Sequence, residues 1–184
     1  QLEKMSMDPK FGVPEANPRQ RIVIDFSSPN VAKPMHVGHI RSTILGDSLA
    51  RIARFLGHQV ITDNHVGDWG TQFGKVIYGW KHFRDEEALL KARPVEELLR
   101  LYREVTALEV QDEAVRASVR DELVKLQRGD VENRAIWEKT VELSWHEFSR
   151  LYALLDVQFD ERLGESFYKD YLAPLVDRLL TEGI

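Results

Sequence analysis

Apolar residues first crowd together at Arg21-Ile22-Val23-Ile24-Asp25-Phe26, a short β-branched run that predicts a buried strand of a parallel sheet. Ser27-Ser28-Pro29-Asn30 stops it with turn-forming residues. The period then changes. Ile40, Ile44, Leu45, Leu49, Ile52 and Leu56 are expected on one helical face, with Arg41, Asp47, Arg51 and Arg54 turned away from it. Gly57 is suited to end that helix, and His58-Gln59-Val60-Ile61-Thr62 reads as a second strand. Strand, helix and strand over this length predict a right-handed βαβ unit. Ahead of it, Pro9, Gly12, Pro14, Asn17 and Pro18 predict an extended lead-in over residues 1–20.

After Gly79 the character changes. From about Arg84 to Arg128 the chain is charged, rich in Leu, Glu and Arg, and free of glycine. Pro94 interrupts it early, and helices are expected at 95–110 and 112–127 with their charges on a solvated face. Gly129-Asp130 marks a turn. A long helix is predicted from Val131 to Leu155, where Ile136, Trp137, Val141, Leu143, Trp145, Phe148, Leu151 and Tyr152 supply a broad apolar face. Trp80, Trp137 and Trp145 lie within helical apolar patterns and are expected in the core rather than as base-stacking platforms. Val157 to Asp160 reads as a short strand, and Pro174 to Leu180 as a last helix ended by Gly183. The expected organisation is a lead-in (1–20), an α/β part (21–83), a helical segment (84–155) and a return toward the α/β part (156–184).

Composition narrows the chemistry. The chain has 184 residues, 43% of them hydrophobic and 30% charged, which suits a soluble globular domain with a real core. There is no cysteine, so disulfides, thiolate metal sites and cysteine nucleophiles are excluded. That fits a reducing compartment, and a cytoplasmic location is expected. No apolar run is long enough to span a bilayer, and no membrane partner is expected. The formal charge of -5 means that any contact with RNA is local or made by other parts of a larger protein. Gln1 at the start and Glu182-Gly183-Ile184 at the end read as cuts in a longer chain.

The informative segment is Ser27-Ser28-Pro29-Asn30-Val31-Ala32-Lys33-Pro34-Met35-His36-Val37-Gly38-His39, between the first strand and the first helix. Ligands of open α/β sheets bind there, outside the carboxyl ends of the strands. A helix N-terminus at that place offers free backbone N–H groups to a phosphate. Gly38 lets a nucleotide approach the backbone. His36 and His39 can donate hydrogen bonds to phosphate oxygens and stabilise charge in an in-line displacement, with Lys33 adding a positive charge. Histidines three apart could also be metal ligands on a helix face. With no cysteine and few carboxylates nearby, no protein-bound metal is expected.

His36-Val37-Gly38-His39 resembles the HIGH signature of class I aminoacyl-tRNA synthetases. The longer run from Asp25 to Thr43 is similar to the form peculiar to arginyl-tRNA synthetases. So are a second block, Asn64-His65-Val66-Gly67-Asp68-Trp69-Gly70-Thr71-Gln72-Phe73-Gly74, and a third, Gly164-Glu165-Ser166-Phe167-Tyr168. A bare H-x-G-H also occurs in nucleotidylyltransferases of the same fold. The Asn30 and Gly67-Asp68-Trp69 blocks speak against these and against other class I synthetases; a non-catalytic nucleotide-binding module is a third reading.

The resemblance implies an α/β, Rossmann-like (HUP-type) parallel-sheet nucleotide-binding fold, here incomplete and carrying a largely helical insertion. It implies ATP-dependent activation of L-arginine to arginyl-adenylate and transfer to tRNA(Arg), with Mg2+ accompanying the ATP, in a protein expected to be a monomer. By the same resemblance His36, Gly38 and His39 contact ATP, Lys33 assists at the phosphates, Ser28 and Asn30 hold the amino-acid end of arginine, and Asp25 lies close to the bound arginine. A carboxylate facing a guanidinium can form paired charge-assisted bonds; a strand-end turn residue is the lesser reading of Asp25. The second block is expected to line the amino-acid side of the pocket, with Asp68 and Gln72 the polar candidates for binding arginine, and it reads equally as a structural turn around Trp69. The third block has no derivable role. Lys4-Met5-Ser6 imitates the start of a KMSKS motif, but it precedes HIGH, and Met7 stands where the second lysine belongs. With the later KMSKS-type loop and arginine-reading strands missing, the chain alone is expected to be inactive.

Overall fold

The computed structural model describes residues 2–90 and 94–184, so positions 91–93 of the predicted helical segment, and Gln1 of the lead-in, lie outside the described residues. The lead-in is not wholly extended: Leu2–Met7 form a short helix, α1. The predicted βαβ unit is present. β1 (Arg21–Asp25) and β2 (Gln59–Asp63) pair in parallel, in register from Arg21–Gln59 to Asp25–Asp63, and α2 (Val37–Phe55) connects them. The shared register brings both strand ends to one level, which is where the signature loops emerge.

The face by which α2 packs differs from the predicted one. Ile44, Leu45, Leu49 and Ile52 are 49%, 58%, 59% and 56% exposed, whereas Thr43, Gly46 and Ala50 are buried. At about 100° per residue, Leu45, Leu49, Ile52 and Leu56 do share a stripe, but Ile40 and Ile44 do not lie on it. The buried stripe is the small-residue one. It has to be small because a Cβ on Gly46 would sit 2.1 Å from Cγ of Phe26. Arg51 and Arg54 tie α2 outward, to Asp156 at 3.2 Å and to Asp160 at 2.7 Å.

Against this thin α/β part lies a helical layer built from α3 (Gln72–Phe83), α4 (Glu86–Leu90), α5 (Pro94–Gln111), α6 (Glu113–Gln127) and α7 (Val131–Leu155). Phe73, Val76 and Ile77 of α3 pack with Leu98, Leu126, Ile136 and Phe148 in one buried cluster. The helical pattern around Trp80 predicts this element without bounds, because Gly74 and Gly79 weaken it. The structure explains them as contact points. A Cβ on Gly74 would meet the Val119 carbonyl oxygen of α6 at 2.5 Å, and one on Gly79 would meet Leu101 Cβ of α5 at 3.0 Å. Pro94 is the first described residue of α5, a place that suits a residue with no N–H to satisfy. Asp112 and Asp130 cap α6 and α7 by accepting from Ala114 N–H and Asn133 N–H at 2.8 and 3.0 Å. Lys81 of α3 reaches Glu122 of α6 and Asn133 of α7, both at 2.7 Å, so this half-buried cation is paired from two neighbouring helices. Trp80, Trp137 and Trp145 are half-buried against the core, as expected from their helical spacing.

The predicted strand at 157–160 is replaced by a single parallel bridge from Glu161 to Asp63. Asp160 instead turns its carboxylate onto Thr62, accepting from its N–H at 2.8 Å and its hydroxyl at 2.9 Å. The last helix, α8 (Glu165–Glu182), is longer than predicted and contains Pro174 in its interior. None of its residues is buried, so water can take up the carbonyl that the missing proline N–H leaves free. No helix among the described residues is long and apolar enough to cross a membrane.

Candidate active site

The loop from Phe26 to His36 leaves the end of β1 and reaches the N-terminus of α2. Three of its non-glycine residues, Ser27, Ser28 and Ala32, have φ of 74°, 47° and 63°. Such left-handed positions cost about 1–3 kcal/mol each and persist only when the surroundings hold them. Here α7 does so. Tyr152 OH lies 2.7 Å from Ser27 Oγ and accepts from Asn64 Nδ2 at 3.0 Å, while Ser144 Oγ accepts from Ala32 N–H at 3.0 Å. Thr43 Oγ1 of α2 donates to Ser27 Oγ at 2.8 Å. Burial pushes the Tyr152 phenol up, although its bonds to Ser27 and Asn64 act in the other direction.

Asp25 and Ser28 meet at the strand end: Ser28 Oγ donates to Asp25 Oδ1 at 3.1 Å, and the same oxygen accepts from His65 N–H at 3.3 Å. Asn30 faces Gly67 in a parallel bridge, closed by Val31 N–H to Gly67 O at 3.1 Å and Gly67 N–H to Pro29 O at 3.0 Å. A Cβ on Gly67 would lie 2.5 Å from Asn30 Oδ1. The glycine of the second block is therefore what lets the first block clasp it. His36 is the N-cap of α2, its Nδ1 accepting from Gly38 N–H at 3.1 Å. His36 N–H in turn donates to His39 Nδ1 at 3.2 Å, and the two rings stack with centroids 3.9 Å apart. Burial, with the neighbouring His36 ring, holds the His39 imidazole below its ordinary 6.5.

The other sequence candidates stand apart from this group. Lys33 Nζ lies over the Tyr102 ring of α5 at 4.9 Å from the centroid, and Lys75 Nζ approaches the same ring at 5.3 Å. Asp68 caps α8: its carboxylate accepts from Ser166 N–H at 2.8 Å and Ser166 Oγ at 2.7 Å, in space that Gly164 leaves open. Gln72 begins α3 and folds back over Gly70, where a Cβ would meet its Oε1 at 2.5 Å. The third block thus docks on the second, with Tyr168 also lying 5.5 Å from the His65 ring. His65, Tyr102, Tyr152 and Tyr168 are the site residues that sequence reasoning leaves out. Only His65 and Tyr168 carried a signal, their place inside the second and third blocks.

The model of the catalytic domain of class I tRNA synthetases for arginine matches residues 2–184. The chain belongs to the class I arginyl-tRNA synthetase catalytic-domain family. An arginine–tRNA ligase of Fusobacterium nucleatum is 46% identical over 183 residues, covering 100% of this chain and 32% of that protein. One from a Synechococcus strain is 49% identical over 174 residues, covering 94% and 29%. The chain therefore spans about a third of the length of these curated relatives. Among solved structures, the arginyl-tRNA synthetase of Plasmodium falciparum aligns with a TM-score of 0.69 at 40% identity, over 88% of this chain and 27% of that one. That of Thermus thermophilus aligns at 0.67 and 25% identity, over 90% and 27%. The expected α/β class of this family, a parallel sheet with helices in partial form, is the fold seen here.

Proposed function

We propose that this chain carries the ATP-binding side, and part of the arginine-binding side, of an arginine–tRNA ligase active site. The observation that carries the reading is the meeting of two signature loops at the strand ends, with the His36–His39 pair starting the helix that follows the first of them. In that reading arginine's carboxylate oxygen attacks the α-phosphorus of ATP and pyrophosphate leaves. A ribose hydroxyl at the end of tRNA(Arg) then attacks the arginyl carbonyl and AMP leaves. His36 and His39 donate to phosphate oxygens and stabilise the charge that builds there. Gly38 leaves space beside them. Asp25 and Ser28, already bonded to each other, face the amino acid, and Asn30 holds the loop pair that borders it. Lys33 supplies charge from its seat on Tyr102. Asp68 and Gln72 support the arginine side through the backbone they fix.

Among the described residues no three His, Asp or Glu side chains converge as a metal cage, so Mg2+ is assigned to the ATP phosphates and no step is routed through it. Residues 21–83 with 156–184 form the catalytic part in this proposal, and 84–155 the helical insertion. The test is arginylation of tRNA(Arg) by a protein carrying this chain, with ATP and Mg2+ supplied. Charging with arginine and no other amino acid is expected. His39→Ala is expected to slow it about 100- to 1,000-fold with folding intact, and an unchanged rate would remove the assigned role.

A further inference from the structure

We infer that His36 and His39 are both held as neutral Nε2–H tautomers by the helix they start, so that one end of each ring caps α2 while the other faces the phosphates. The first half rests on geometry alone. A backbone N–H can only donate. Gly38 N–H points at His36 Nδ1 from 3.1 Å, and His36 N–H points at His39 Nδ1 from 3.2 Å. Each Nδ1 therefore carries a lone pair, and a neutral imidazole that accepts at one nitrogen bears its proton on the other. An imidazolium at either position would set N–H against N–H, in a ring stacked 3.9 Å from its neighbour. The burial that lowers the His39 ionisation acts in the same direction.

The pair occupies the N-cap and N3 positions, with a reciprocal bond at each, which is the layout of a capping box. In the usual box the N3 residue is Glu or Gln. A carboxylate there would repel an incoming phosphate, and the first turn of α2 contains no acidic residue. Imidazole offers the same acceptor to the backbone while keeping a donor on its far side. The spacing H-x-G-H follows. A Cβ at Gly38 would lie 2.9 Å from His36 Cε1 and 3.1 Å from its Nδ1, so only glycine lets the first ring lean over the helix end. His65 is the internal contrast: its Nδ1 lies 2.8 Å from the Leu163 carbonyl, which can only accept, so its proton sits on Nδ1.

The phosphate-facing half of the inference rests on the proposed ATP site; the tautomers do not. Long-range 1H–15N correlation spectra of the 15N-labelled chain at neutral pH read them directly. Nε2–H is expected at His36 and His39, and Nδ1–H at His65. A proton on Nδ1 of either signature histidine, or rapid exchange between tautomers, overturns the inference. Two variants separate the ring ends. In His36→Asn the amide oxygen takes the place of Nδ1 and remains a good cap, so the melting temperature holds while ATP binds about 10- to 100-fold more weakly. In His36→Gln the amide nitrogen takes the place of Nε2, so ATP binding is largely kept while loss of the cap lowers the melting temperature by roughly 2–4 °C. Equal losses in both variants, in both readouts, would also overturn it. If the tautomers are as expected but ATP leaves the Nε2–H signals unmoved, the ATP reading of the site fails and the capping assignment stands.

Discussion

The two layers of this molecule are held together by different physics. The helical layer is a packed apolar core: Phe73, Val76, Ile77 and Leu98 are wholly buried in it, and its half-buried Lys75 and Lys81 are paired with Glu109 and Glu122. The α/β layer has two strands among the described residues, leaves Val23 and most apolar residues of α2 exposed, and keeps its site loop in left-handed backbone through hydroxyls and an amide. Stability thus resides in the part with little chemistry. The part with the chemistry borrows its rigidity from Ser144 and Tyr152 of α7.

The contrast can be broken at its strongest point first. Phe148→Ala empties a side chain that is 1% exposed at the centre of the helical cluster and is expected to cost about 3–5 kcal/mol in denaturant unfolding. A loss below 1 kcal/mol would show that the helices do not dominate stability. Tyr152→Phe removes only the hydroxyl that joins the layers, leaving Ser27 and Asn64 a partner short. A loss of about 1–3 kcal/mol is expected, together with weaker ATP binding. Stability loss with unchanged ATP affinity would mean that the loop does not depend on α7.

A smaller effect is expected from pH. The folded form holds His39 below 6.5, so it binds fewer protons than the unfolded chain between that lowered value and 6.5. The contribution is present above 6.5 and is lost as pH falls through the folded value. Replacing His39 with Gln should flatten the fall in melting temperature between pH 7 and pH 5, and an unaltered slope would contradict the assignment. The smallest effect belongs to the exposed stripe of α2. Leu49→Gln in this chain is expected to change stability by no more than about 0.5 kcal/mol, whereas a core-sized loss would restore the face predicted from the sequence.

That face shows where sequence reading stops. β1, α2, β2, α6 and α7 are legible because their periods and caps are strong, and the HIGH-like run is legible because it is contiguous. Which side of α2 is buried is not, since the deciding residue is Gly46, whose value lies in what it lacks. The bounds of α3 hide for the same reason at Gly74 and Gly79, and most of α8 hides behind Pro174. In the site, Asp25 and Ser28 meet at the strand end, Asn30 clasps Gly67, and His36, Gly38 and His39 form the start of α2. The capping of α8 by Asp68 and the seat of Lys33 on Tyr102 depend on partners far away in the sequence, which no local pattern announces.

The bond between Ser27 and Tyr152 joins residues 125 positions apart. On a ribosome the signature loop is made early, and its helix and strands can form at once from nearby contacts. Its strained backbone has Thr43 and Gly67 beside it early but lacks its bonds to Ser144 and Tyr152 until α7 has emerged and docked, because a long-range contact rewards the chain only after the intervening length has been closed. The signature loop is therefore encoded first and shaped late, and a nascent chain halted before residue 152 would display the histidines without the bonds to α7 that complete the loop geometry.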